Sequence, residues 1–156
     1  MPTEIERKFL VSSDNWRAQA DAGRLMVQGY LQSNEKSSVR VRIAGDQAWL
    51  NIKSATLGIS RSEYEYVIPV DEAKQILNDL SQGPLIEKTR YHVKVGNHLW
   101  EVDDFLGDNQ GLVVAEIELT DEAEAFEKPD WLGEEVSNDT RYYNVCLVKH
   151  PYKDWA

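Results

Sequence analysis

The chain has 156 residues, of which 42% are apolar and 28% charged. That composition excludes disordered and membrane-embedded classes and suits one domain over residues 1–156 with its own core. A formal net charge of −10 excludes a broad basic surface for nucleic acid. Cys146 is the single cysteine, so a disulfide framework and a cysteine metal site are both ruled out. With no apolar stretch in Met1–Lys8 to act as a signal peptide, a reducing cytoplasm is the simplest compartment.

Alternation with a period of two predicts strands at 3–10, 26–33, 38–44, 47–54, 61–68, 86–95, 98–105 and 112–120. Gly45-Asp46 and Gly96-Asn97 read as tight hairpin turns, and Gly58 opens the connection before the fifth strand. Helices are expected at 13–22, at 71–82 with a stripe of Ala73, Ile76, Leu77 and Leu80, at 121–128 before Pro129, and at 139–149. Sequential strands pair as antiparallel neighbours, and eight of them can close. The expected class is therefore α+β: an eight-stranded antiparallel β-barrel with covering helices.

Residues two apart in a strand share a face. One face carries Glu4, Glu6 and Lys8 in the first strand, Arg40 and Arg42 in the third, and Asn51 and Lys53 in the fourth. It continues with Arg61, Glu63 and Glu65 in the fifth, Lys88 and Arg90 in the sixth, Glu101 and Asp103 in the seventh, and Glu116 and Glu118 in the eighth. For any single strand, a solvated outer face is the simpler account. Taken together, the signs are largely segregated by strand, whereas an ordinary soluble face intersperses them. If the sheet closes with its apolar face outward, the charged face lines the lumen, which is costly unless those charges are hydrated, paired or bound to ligands.

Such a lumen suits a metal–polyphosphate complex. Clustered carboxylates call for a hard cation with oxygen ligands, Mg²⁺ or Mn²⁺, and separate Arg and Lys rows suit phosphate oxygens. A tripolyphosphate carries about five negative charges when fully ionised, which two divalent ions nearly neutralise.

The stretch Glu4-Ile5-Glu6-Arg7-Lys8-Phe9-Leu10-Val11 resembles the ExExK signature of the CYTH superfamily, the triphosphate tunnel metalloenzymes. The resemblance runs on through Gln28-Gly29-Tyr30-Leu31, Val39-Arg40-Val41-Arg42, Ile52-Lys53 and Arg61-Ser62-Glu63-Tyr64-Glu65. It ends with Lys88-Thr89-Arg90, Glu101-Val102-Asp103, Ala115-Glu116-Ile117-Glu118 and Asp139-Thr140-Arg141-Tyr142-Tyr143-Asn144. It implies a tunnel in which basic residues grip a triphosphate and carboxylates of the first and last strands hold metal, closest in kind to the bacterial inorganic triphosphatases.

On that reading Glu4, Glu6, Lys8 and Glu118 are catalytic. Lys8, Arg40, Arg42, Lys53, Arg61, Lys88, Arg90 and Arg141 bind substrate, with Lys149 an alternative to Arg141. Glu4, Glu6, Glu63, Glu65, Asp103, Glu116 and Glu118 are the metal candidates for one or two ions, while Glu101 either binds or orients its neighbours. The expected partner is a small anionic triphosphate, with no nucleic acid and no membrane. A homodimer is compatible with the sequence, Trp155 being a candidate contact.

His92, His98 and His150 lack metal-ligand spacing, Cys146 reads as a core thiol, and no P-loop motif is present. The rivals that stay open are a class IV adenylyl cyclase, a thiamine or nucleoside triphosphatase, and a non-catalytic polyphosphate- or nucleotide-binding module. The paired Glu4/Glu6 and Glu116/Glu118 favour catalysis, and nothing declares an adenine pocket.

Overall fold

Alternating apolar and charged side chains force each strand to bury one face, and the chain satisfies this by rolling its sheet into a closed barrel. The computed structural model describes residues 3–55 and 59–155, so the turn assigned to Gly58 lies outside the described residues. In chain order the strands are β1 (Thr3–Val11), β2 (Arg24–Ser33), β3 (Ser37–Ala44), β4 (Gln47–Ser54) and β5 (Ser60–Ile68). They continue as β6 (Gln82–Val95), β7 (His98–Phe105), β8 (Val113–Leu119) and β9 (Leu132–Glu135). Helix α1 spans Val70–Leu80 and helix α2 spans Asn144–Lys149.

The sheet runs β5-β4-β3-β2-β6-β7-β8-β1, and β1 closes it by pairing with β5. The first eight strands thus form the expected antiparallel barrel. Strand β1 divides its free edge. Its first residues pair with β5 (Glu4 opposite Arg61), while Phe9 and Val11 pair with β9. At the β3–β4 and β6–β7 hairpins, Gly45 (φ +63°) and Gly96 (φ +60°) take the first turn position, where a residue with a Cβ would be strained.

The apolar face points outward and is covered. Phe9, Val93, Trp100, Val102 and Ile117 lie under Trp16, Phe126 and Trp131, and Trp100 makes edge-on contacts with both Phe126 and Trp131. On the other side α1 lays Ala73 and Leu77 onto Val41 and Ala48.

The inward face changes character along its length. It passes from Lys88 to Ile86 in β6, from Asp103 to Phe105 in β7, and from Glu116 to Val114 in β8. Ile86, Phe105 and Val114 form an apolar floor with Leu147 of α2, so the C-terminal segment plugs that end of the lumen.

Three expected helices are altered by tertiary contacts. The segment at 13–22 keeps only a 3₁₀ turn at Asn15–Gln19, because Trp16 is buried against Tyr91 and Ala20 pairs with Val93. The stretch at 121–128 is not helical: Glu124 accepts from the Thr120 backbone N–H (2.7 Å) and hydroxyl (2.6 Å), and the extended chain that follows delivers Phe126 to Phe9. The expected helix at 139–149 breaks at Tyr143, whose backbone is extended (ψ 132°), leaving a 3₁₀ turn at Thr140–Tyr142 and then α2. The carbonyl of Tyr142 accepts from Lys8 Nζ at 3.1 Å. Strand β9 is an element that alternation does not predict.

Candidate active site

The lumen holds a cavity of about 310 Å³ lined almost entirely by polar side chains. Glu4, Glu6 and Lys8 reach it from β1, Arg40 and Arg42 from β3, Lys53 from β4, and Arg61, Glu63 and Glu65 from β5. Lys88 and Arg90 of β6, Glu101 of β7, and Glu116 and Glu118 of β8 complete the charged wall. The antiparallel register brings them together: Lys8 lies opposite Glu116, and Glu101 lies opposite Glu116 on the other side.

Carboxylate oxygens of Glu6, Glu101 and Glu116 all lie within 4.8 Å of one another. Oxygens on opposite sides of a Mg²⁺ ion stand about 4.2 Å apart, twice the 2.0–2.1 Å bond length, so this set can close on one cation with small movements. The protonation pattern agrees. Burial, then Glu116 and Glu4, drive Glu6 well above the usual carboxylate range. Glu116 goes the other way: burial favours its neutral form, but Lys8, Arg90 and Lys88 outweigh it and hold the group well below that range. Three hard oxygen donors held this close favour a cation between them and suit Mg²⁺ or Mn²⁺.

Other acids are committed to neighbouring bases. Glu4 lies 3.1 Å from Lys53 Nζ and 3.5 Å from Arg61 Nε. Lys53 also pairs with Glu63 at 3.3 Å, and Glu65 accepts from Asn51 at 2.7 Å. Glu118 lies at the exposed end of the lumen, raised by burial and by Glu4, Glu101 and Glu63.

Three of the sequence-assigned residues lie elsewhere. Asp103 does not line the cavity. It is fully buried, 2.8 Å from Lys88 Nζ and bound by Arg90 through two hydrogen bonds of 2.8 and 2.9 Å, so its oxygens are saturated by protein cations. Arg141 is outside the lumen, exposed, paired with Asp139 and stacked over Tyr142 and Trp155. Lys149 also lies outside the cavity lining, at the exposed end of α2.

The basic side is only partly neutralised. Arg40 is buried, and its Nε has no partner among the described residues. Arg42 is pushed down to about 9 by burial and by Arg40 and Arg90, yet keeps its charge at neutral pH. Burial outweighs Asp103 and, with Arg90 and Arg42, brings Lys88 down to about 7. A site that holds cations this reluctantly is short of anionic ligand.

Residues that the charge pattern passed over are the neutral ones. Gln28, Asn144, Tyr30, Tyr143 and Ser38 line or support the cavity. Gln28 and Asn144 both fall inside the motifs already quoted. Glu101, left open between ligand and support, belongs to the carboxylate cluster itself, and its register opposite Glu116 is the signal that identifies it. His92 stands behind Glu101, with Nε2 3.6 Å from its carboxylate and Nδ1 3.3 Å from Asp21.

The CYTH domain family matches residues 2–149. The chain belongs to the CYTH family. The inorganic triphosphatase of Acetivibrio thermocellus is 52% identical over 155 residues, covering 99% of each chain. The inorganic triphosphatase of Nitrosomonas europaea is 40% identical over 154 residues, covering 94% of this chain and 97% of that one. The crystal structure of the inorganic triphosphatase NE1496 has a TM-score of 0.65 at 35% identity, covering 92% of this chain and 96% of that chain. Both the CYTH barrel and its charged lumen therefore agree with the resemblance first seen in the ExExK stretch. Among the described residues no helix is long and apolar enough to cross a membrane.

Proposed function

We propose that this chain hydrolyses inorganic tripolyphosphate to pyrophosphate and phosphate, using one or two divalent ions, Mg²⁺ or Mn²⁺. The observation that carries this reading is the division of one cavity into a three-carboxylate cluster and a wall of incompletely neutralised Arg and Lys. Either half alone would suit a metal or an anion, and the two together suit their complex.

Glu6, Glu101 and Glu116 would hold the ion, with Glu4 and Glu118 nearby for a second. The ion would supply Lewis-acid stabilisation of phosphoryl oxygens and lower the pKa of an attacking water. Arg40 and Arg42 meet phosphate oxygens by paired N–H donors, and Lys53, Lys88 and Arg90 fix the chain along the lumen. Lys8, held by Glu116 at 3.8 Å and by the Tyr142 carbonyl, is placed to offset charge that builds on the departing pyrophosphate. Water oxygen bonds to the terminal phosphorus, the bridging P–O bond breaks, and the proton leaves with phosphate or passes to a lumen carboxylate. No covalent nucleophile is required. A reducing cytoplasm fits the lone, half-buried thiol of Cys146.

Phosphorus NMR of reactions with tripolyphosphate, pyrophosphate and ATP, each with Mg²⁺ and Mn²⁺, tests the proposal. Tripolyphosphate should disappear fastest, giving equal amounts of pyrophosphate and phosphate. Pyrophosphate should turn over poorly, since a two-phosphate chain leaves part of the basic wall unpaired. Release of cyclic AMP from ATP, or pyrophosphate cleaved as fast as tripolyphosphate, would overturn the assignment.

A further inference from the structure

Four side chains at the floor of the cavity form a hydrogen-bond chain whose direction is fixed by chemistry. Arg42 Nε donates to Gln28 Oε1 at 2.9 Å. Gln28 Nε2 donates to Asn144 Oδ1 at 3.0 Å, and Lys88 Nζ donates to the same oxygen at 3.1 Å. Arg and charged Lys have no acceptor, so the Gln28 atom facing Arg42 must be its oxygen. The Gln28 atom facing Asn144 is then its NH₂, and the Asn144 atom facing both Gln28 and Lys88 must be oxygen. Neither amide can flip without setting donor against donor.

This orientation leaves Asn144 Nδ2 committed to nothing. It has no hydrogen-bond partner among the described residues, although Asn144 lines the cavity and its oxygen carries two bonds. Gln28 and Lys88 are wholly buried, so the amide is gripped from the wall side. A neutral NH₂ held rigidly at the floor of an anion site is a donor prepared for a phosphoryl oxygen, and it adds no charge to repel the neighbouring guanidinium groups.

We propose that Asn144 is a substrate-binding residue that donates from Nδ2 to a phosphoryl oxygen of the triphosphate, with Gln28 as the positioning residue that fixes its amide. The inference rests on the tripolyphosphate reading above and adds a contact that the charged rows do not supply.

The test is calorimetric titration of the whole protein with tripolyphosphate in EDTA, so that no metal enters. Asn144→Asp keeps an acceptor for Lys88 and Gln28 but removes the donor, and should weaken binding by tenfold or more, as expected for a lost bond to a charged acceptor. Asn144→Ala should also weaken it, by about fivefold to tenfold. Thermal melts establish that each variant is folded, and if Asn144→Asp does not fold, Asn144→Ala decides alone. In the wild type, the Asn144 side-chain amide protons, assigned in ¹⁵N spectra by their loss in the variant, should move downfield on adding tripolyphosphate. A folded Asn144→Ala protein that binds within twofold of wild type, or amide protons that do not shift in a saturated complex, would overturn the contact while leaving the triphosphate site standing. Failure of the wild type to bind tripolyphosphate would overturn both.

Discussion

Asp103 and Lys88 form an ion pair sealed inside the barrel, Oδ2 lying 2.8 Å from Nζ with neither side chain reached by solvent. Arg90 grips the same carboxylate through two nitrogens, so one acid serves two cations of the basic wall. Asp103 is thus the counter-charge that lets Lys88 and Arg90 stand beside each other, and burial, which alone would raise it, is outweighed by Arg90 and Lys88 to bring it down to about 2.

Removing that counter-charge leaves buried cations uncompensated. Asp103→Asn preserves volume and should destabilise the ligand-free fold by about 3–5 kcal/mol, the range for breaking a buried ion pair from one side. Urea unfolding measures it. A loss below about 1 kcal/mol, the level of an exposed pair, would mean that water reaches Lys88 after all.

Metal binding separates the acids that form the cluster from those paired to bases. Mn²⁺ binding, followed by the EPR signal of the free ion, should weaken by about tenfold or more in Glu101→Gln. Glu65→Gln, whose carboxylate is engaged by Asn51, should bind nearly as wild type. EDTA should abolish hydrolysis and excess Mg²⁺ should restore it. Equal Mn²⁺ affinity in the two variants would place the ion elsewhere.

The depressed Lys88 sets a pH dependence that can be signed. At pH 9 an amine with a pKa near 7 is mostly neutral, and an incoming polyanion favours its charged form. Metal-free tripolyphosphate binding at pH 9 should therefore take up protons, seen as an enthalpy that varies with the ionisation enthalpy of the buffer. The linked effect on folding has the same origin. Between pH 7 and about 10.4, the ordinary lysine value, the unfolded chain binds more protons at this residue, so the ligand-free protein gains stability as pH rises. Net proton release at pH 9 would contradict this account.

The barrel strands were legible because each must bury one side, and a period of two records that demand residue by residue. Depth along the lumen is not recorded that way. Glu101 and Asp103 share a face and a charge, yet strand register sets Glu101 beside Glu6 and Glu116 and drops Asp103 between Lys88 and Arg90. Parity alone cannot separate them. The stretch at 121–128 has helix-favouring composition, but Phe126 gains more by packing on Trp100 and Phe9 than a short acidic helix could return. Strand β9 is four residues without clear alternation, and it exists because the second half of β1 offers an edge. Arg141 carries a charge like the lumen cations, but a turn rather than a helix places it, and Asp139 two residues away holds it outside.

The divided edge of β1 has a consequence for how the molecule comes to exist. Lys8 donates its backbone N–H to Ser137, 129 positions away, and accepts from the Val136 N–H. Strands β2 to β7 can pair with one another without β1, β2 with β6 included, but without β1 and β8 their basic rows lack Glu4, Glu6, Glu116 and Glu118. Such a sheet sets Arg40, Arg42, Lys53, Arg61, Lys88 and Arg90 against only Glu63, Glu65, Glu101 and Asp103, so the strands that close the barrel bring the balancing charge. The loop entropy of closure grows only slowly with the length of chain spanned. A polyanion that binds the closed lumen and not the open sheet therefore shifts the balance toward the closed barrel.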